Sequence, residues 1–215
     1  ECALSNGVSL FDRISLTANG AIVSETQNYQ QSQNILALAE MSKDFRDNQA
    51  SNYGHYTDTG VGNADANNLG YVVRRNFSRN GGNQTLHIPL SQMFGFTRDL
   101  DMVNRGIKWQ MILHKNQDNL AIHTAAGADG ANHNPKVHYT KVRWWICQVR
   151  PSLMEEARIN QQLNAGMVSS LDWCEVSCFK SQAFQEANPR FRIASQIRDP
   201  KYAFVVCMPT ATANG

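Results

Sequence analysis

At 215 residues the chain is long enough for one large β domain or two small ones. Its composition is ordinary for a globular protein, 42% hydrophobic and 18% charged with a net charge of +2. Charge this weak and scattered, with Arg74-Arg75 the only adjacent basic pair, excludes a dedicated nucleic-acid surface, and no apolar run approaches the length of a membrane span.

Residues 8 to 16 alternate, with Val8, Leu10, Ile14 and Leu16 on one side and Ser9, Arg13 and Ser15 on the other. Period two with β-branched residues predicts a half-buried strand. Asn19-Gly20 suits the positive φ of a tight turn, so residues 21 to 24 are expected to return as the partner strand. Tyr29 to Met41 reads as one helix lying on the sheet, through Ile35, Leu36, Leu38 and Ala39. Residues 47 to 70 are dominated by Asn, Asp, Gly and Ser and read as a long loop.

Order resumes at "LHIPLSQMFGF", where Pro89 belongs at a strand end or sheet edge. "RGIKWQMILHK" alternates as a strand through Ile107, Trp109, Met111 and Leu113. "NLAIHTA" is a short strand, and a Gly/Asn loop runs on through Asn134. "VHYTKVRWWICQVR" has the strongest strand pattern in the chain. Ser152-Leu-Met-Glu155 is a capping box, which predicts a second helix to about Asn164, stopped near Gly166. Three further strands are expected over roughly 167–179, 190–197 and 202–208. About eight strands, two helices and long polar loops predict an all-β fold, a jelly-roll β-sandwich in a single domain over residues 1–215.

The chemistry-bearing motifs are each incomplete. Asp58-Thr59-Gly60 matches the aspartic-protease tripeptide, but that reaction needs two carboxylates sharing a proton, and the polar flanks here read as a turn. Gly60-Val-Gly62-Asn-Ala-Asp65 falls one residue short of a dinucleotide fingerprint and follows no apolar strand. Asp58 and Asp65 could touch calcium in a loop, yet the EF-hand spacing is absent. His55, His87, His114, His123, His133 and His138 form no metal-ligand pattern. Asp99 and Asp101 share one polar turn and read as solvated rather than as a glycosidase pair. Asn76-Phe-Ser78 and Asn83-Gln-Thr85 are glycosylation sequons that matter only in a secreted chain.

The five cysteines are Cys2, Cys147, Cys174, Cys178 and Cys207. An odd count without a visible secretory signal predicts free thiols. On a strand, Cys174 and Cys178 would stand about 13 Å apart at roughly 3.3 Å per residue, beyond disulfide reach. On a helix they would share a face, but no second ligand pair completes a zinc site. The first residue is Glu1 rather than Met, which leads us to expect a processed or truncated piece of something longer. Trp144-Trp145 must point opposite ways on a strand, one into a core and the other toward a second layer or a neighbouring subunit. Sugar stacking on the exposed Trp is the alternative to that assembly contact.

Three stretches carry a resemblance: "SLFDRISLTANGAIVS", "LHIPLSQMFGFTRDLDMVNRGIKWQMIL" and "VHYTKVRWWICQVRPSLMEEARINQQL". In their order they resemble the double jelly-roll major capsid proteins of double-stranded DNA viruses, in the Polinton-like, adintovirus and nucleocytoplasmic large DNA virus lineage. The likeness covers about half of the chain and rests on order more than identity. Family members usually carry two jelly rolls and about twice this length, so the resemblance implies one of three things: a portion of a longer double jelly-roll chain, a split half of one, or a single jelly-roll relative. It implies a structural protein of the virion with no catalytic residues, no cofactor and no metal. Its partners would be copies of itself, as trimers tiling an icosahedral shell, and other capsid proteins, with no specific small molecule. A carbohydrate-binding β-sandwich is the alternative function.

Overall fold

The structure, a computed structural model, describes residues 2–4, 6–59, 67–78, 83–100, 104–117, 121–124, 136–166, 172–180, 190 and 199–206. Its organising element is the strand β2 (Phe11–Ala18), hydrogen-bonded along both edges. Following the short strand β1 (Cys2–Leu4) and a 3-10 turn (Val8–Leu10), β2 pairs antiparallel with β3 (Ala21–Thr26) on one side and β4 (Trp109–Lys115) on the other. A fifth strand, β5 (Ile122–Thr124), pairs antiparallel with β1. Ile14 stands opposite Leu113, Leu16 opposite Met111 and Ala18 opposite Trp109, so one face of the three-stranded sheet is continuously apolar. On β4, Trp109, Met111 and Leu113 are half-buried while Gln110, Ile112 and His114 are exposed, as period two requires.

The hairpin turn is built as the sequence suggests. Asn19 and Gly20 have φ of 51° and 87°, the left-handed pair that a two-residue turn with the right twist demands. Asn19 also ties the turn to the sheet's other edge: its N–H donates to the Lys108 carbonyl at 2.9 Å, and its Oδ1 accepts from the Lys108 N–H at 2.9 Å.

Helix α1 (Tyr29–Glu40) lies over the sheet and buries Tyr29, Leu36 and Ala37. Four further helices are α2 (Lys43–Asn48), α3 (Leu69–Ser78), which packs on β1, α4 (Leu90–Met93), and α5 (Gly95–Asp99), which packs on α4 and β3. The core joins Ile14 and Leu16 to Tyr29, Tyr53, Met93, Phe94 and Phe96. Two buried phenols are anchored within it. Tyr29 donates to the Gln92 carbonyl at 3.3 Å and Tyr53 to the Met41 sulfur at 3.2 Å. Burial pushes the Tyr29 phenol far above its ordinary pKa and the Tyr53 phenol up to about 12.

A buried polar latch closes this core. Asn6 Oδ1 accepts from both the backbone N–H and the hydroxyl of Ser9, and its Nδ2 donates to Asn34 on α1. Asn116, just past β4, donates to the Ser9 carbonyl at 2.9 Å and to Gln30 on α1 at 2.5 Å. Residues far apart in sequence are thereby fixed at one point, and the polar atoms of the buried Asn6, Ser9 and Asn116 find partners there.

The expectation of an all-β jelly roll of about eight strands is overturned. The described residues hold six α-helices, one three-stranded sheet and one two-strand ladder. Between 47 and 70, the polar residues read as loop formers are partly helix caps. Asn68 Oδ1 accepts from the Tyr71 N–H at 3.2 Å to start α3, much as Ser42 Oγ accepts from Phe45 to start α2. "IPLSQMFGF" forms α4 and α5 rather than a strand, with Pro89 as the cap before α4. Residues 136–150 and 172–180 hold no strand, although their side chains alternate. Alternation records which side chains could face a core; a strand also requires a ladder partner, and residues 140–150 have none among the described residues. Both the apolar and the polar phases of 145–150 are exposed.

The second expected helix is present as α6 (Leu153–Asn164), with Ser152 Oγ accepting from the Glu155 N–H at 3.3 Å and Gly166 at φ 74° beyond its end. Of the strands expected over 167–179, 190–197 and 202–208, residues 172–179, 190 and 202–206 are described and carry none; the rest lie outside the described residues.

Ile14 is fully buried at the centre of β2, whereas Ile22 on β3 is 63% exposed. Ile14→Ala is expected to cost about 2–5 kcal/mol and to lower the thermal midpoint by roughly 5–15 °C. Ile22→Ala should stay within about 0.5 kcal/mol of the parent; thermal denaturation followed by far-UV circular dichroism checks both.

Candidate functional site

Three places are candidates, two with polar chemistry and one apolar. The first is the loop that contains Asp58. Arg74, projecting from α3, is 5% exposed and donates to Asp58 Oδ1 at 2.7 Å and to the Tyr56 carbonyl at 2.9 Å. Gly70, in the first turn of α3, permits the approach: a Cβ there would lie 2.5 Å from Asp58 Oδ1 and 2.8 Å from the Thr57 carbonyl. Thr59 extends the attachment by donating its hydroxyl to the Asn67 carbonyl. The aspartic-protease reading requires a second carboxylate sharing a proton. The structure gives Asp58 an arginine instead, which holds its carboxylate as a strut pinning the loop to α3. Asp65 and the rest of the glycine-rich stretch from 60 to 65 lie outside the described residues.

His55 sits at the edge of the same cluster. Burial first, and then the nearby Arg74 and Arg46 guanidinium groups, pull its pKa below the ordinary histidine value of 6.5, with Asp58 opposing them.

The second place is a groove of about 320 Å³ beside the end of α1. Leu36, Met41 and Phe45 form its apolar floor, with Ser42 and Gln92 beside them. At its rim, Glu40 pairs with Arg98 at 3.2 Å and accepts a hydrogen bond from the Tyr202 hydroxyl. The carboxylate is therefore committed on both oxygens, and the Ser42 hydroxyl accepts from the Phe45 N–H at 3.2 Å. The groove has room for a small apolar group.

The third place is apolar. Tyr139 stacks on Phe11 with ring centroids 6.1 Å apart and donates to the Leu10 carbonyl, laying the segment after it on the core. Val137 and Trp144 pack against that core. Trp145 points away and is 75% exposed, with the Arg143 guanidinium 6.0 Å from its ring centre. The two adjacent tryptophans therefore do face opposite ways. Val142, Ile146, Val149, Leu153 and Met154 are exposed along the same stretch.

The remaining candidates are not brought together. His87, His114 and His138 are exposed at separate positions, and among the described residues no group of three or more His, Cys, Asp or Glu side chains could hold a metal. The side chain of His123, all of His133 and Asp101 lie outside the described residues. Asp99 accepts from the Cys174 N–H at 3.4 Å and serves to tether the 172–180 segment. Gly95 lets that segment come close, because any side chain there would overlap the Cys174 carbonyl. Cys147, Cys174 and Cys178 are free thiols, as expected for them, and burial pushes the Cys178 thiol up; Cys207 and the Cys2 side chain lie outside the described residues. Asn76 is exposed on α3 and Asn83 is exposed in an irregular segment. No helix among the described residues is long and apolar enough to cross a membrane.

Sequence reasoning singled out Asp58 and missed Arg74, sixteen residues away, because nothing in a lone polar tripeptide announces the cation that will meet it. Comparison with protein-family models, with curated proteins and with solved structures returns no match.

Arg74→Met is expected to cost about 1–3 kcal/mol, because the Tyr56 carbonyl and the Asp58 carboxylate both lose their donor. The figure stays below that of a fully buried ion pair since the Asp58 side chain is 41% exposed. Urea unfolding measures it. The depressed pKa of His55 makes a second prediction. Below pH 6.5 the unfolded chain takes up this proton before the folded one does, so the contribution of His55 to stability is intact above pH 6.5 and is lost as pH falls below it. His55→Gln should flatten that part of the stability profile between pH 7 and pH 5.

Proposed function

We propose that this chain is a self-assembling structural subunit, the building block of a viral capsid shell, associating as trimers or larger species. The observation that carries the reading is the concentration of exposed large apolar side chains after residue 138. Trp145, Val149, Leu153, Met154 and Val205 are each 60% exposed or more. Large apolar side chains left open to water in such number are most often used in contact with another protein. The sequence resemblance points the same way. Two of its stretches, around Phe11–Thr26 and Trp109–Leu113, lie side by side in the one three-stranded sheet. Assembly into a shell asks for large faces and stable struts rather than a reaction centre, and the Asp58–Arg74 pair and the polar latch at Asn116 are struts of that kind. The jelly-roll framework is no part of this proposal, since the fold differs.

Light scattering on the purified chain is expected to give a mass of at least three times the 24.0 kDa of one copy. A strictly monomeric species at high concentration would overturn the reading. The exposed Trp145 face keeps a second reading open to test: a monomer retained on a glycan array would support a carbohydrate-binding module instead.

A further inference from the structure

Three segments of the chain meet at Cys174. Gly95, the first residue of α5, admits the Cys174 carbonyl where any side chain would overlap it. Asp99, the last residue of the same helix, accepts from the Cys174 N–H at 3.4 Å. Next to Cys174, the Trp173 ring stands edge-on to the buried Phe96 with centroids 5.3 Å apart, which fixes the approach. The third segment is 199–206. Its Lys201 side chain hydrogen-bonds to Cys174 with Asp99 close by, and Tyr202 donates to Glu40. Both Cys174 and Lys201 are open to solvent. A nucleophilic sulfur and a primary amine from positions far apart in sequence are thus held in contact at the surface.

We propose that Cys174 and Lys201 form a modification site, at which hydrogen peroxide joins the cysteine sulfur to the lysine Nζ through a reversible S–N bond. In the first step the Cys174 thiolate attacks the peroxide and the O–O bond breaks. Sγ is oxidised by two electrons to the sulfenic acid, and the other peroxide oxygen leaves as water with the proton the thiol gave up. In the second step Nζ, as the free amine, attacks Sγ. The S–O bond breaks, and the oxygen leaves as a second water with one proton from Nζ. The pair loses two hydrogen atoms in all, and one peroxide becomes two waters. The bond closes the loop from 174 to 201 and ties together two segments whose described residues carry neither helix nor strand.

Other cysteine and lysine pairs lack this combination. Cys178 has Lys180 near it, but that thiol is half-buried and burial pushes its pKa up, so it yields little thiolate. Cys147 is exposed and supplies the internal comparison. The hydrogen bond to Cys174 also raises the pKa of the Lys201 ammonium. Both steps consume a deprotonated group, so the linking rate should climb from neutral to mildly alkaline pH.

The test treats the folded full chain with hydrogen peroxide at mildly alkaline pH and maps the products by tandem mass spectrometry. The expected product has lost two hydrogen atoms, carries Cys174 joined to Lys201, and returns to the parent mass with dithiothreitol. It should exceed any link from Cys178 to Lys180, or from Cys147 to a lysine, by at least about tenfold, because contact in the fold raises the effective concentration of the amine. Unfolding in urea beforehand should remove that excess. Lys201→Arg keeps the cation and removes the primary amine, and Cys174→Ser removes the sulfur; each should abolish the product. Both positions are exposed, and far-UV circular dichroism confirms that the variants fold. Four outcomes overturn the proposal: a Cys174 that stays a thiol or stops at a dimedone-trapped sulfenic acid, a two-hydrogen loss that maps to a disulfide, a product that survives Lys201→Arg, or a yield unchanged by urea.

Discussion

The structure depends on the demand that β2 be hydrogen-bonded on both edges at once. A central strand buried on one face cannot leave its N–H and C=O groups unmet without losing about as much as the burial of its side chains provides. Antiparallel pairing with β3 satisfies one edge within a few residues. The other edge waits for β4, nearly a hundred residues further on. Everything between them, α1 to α5 and their connections, must fit into the excursion from one edge of β2 to the other. Helix α1 accordingly packs on β2 and α5 on β3, and Phe94 and Phe96 reach the same core as Ile14 and Leu16.

What the sequence made legible was local. The hairpin about Asn19-Gly20, the helix from Tyr29, the strand through Trp109 and the capped helix after Ser152 follow from nearest-neighbour rules: a positive φ, a period, a hydroxyl at a helix start. What it hid was pairing. "VHYTKVRWWICQVR" has better alternation than β4, yet β4 has a ladder and the later stretch has none among the described residues. Alternation measures a preference of side chains; a ladder depends on a distant edge being vacant. The polar stretch after Asp47 failed in the opposite direction. Asparagine and serine favour loops, yet Asn68 starts a helix with its side chain.

The candidate sites were legible to the same degree. Asp58 could be found as a residue but not as half of an ion pair, since Arg74 sits in an unremarkable helix. The opposite burial of Trp144 and Trp145 was foreseeable, because adjacent residues of an extended chain point apart. Which of the two would be the exposed one was not, because alternation alone does not say which phase faces the core.

The latch at Asn116 has a bearing on how the molecule comes into being. It bridges positions 86 and 107 residues apart along the chain. During synthesis the first hairpin and α1 emerge early and can form at once, but Ser9 and Gln30 must wait for a side chain made many seconds later at ribosomal speed. Over that interval the amino-terminal half is a sheet with one open edge and an incomplete core, prone to pair with the same edge on a neighbouring nascent chain. Release of a well-formed product is thus governed by a late, non-local closure, and slow folding is the expected kinetic signature.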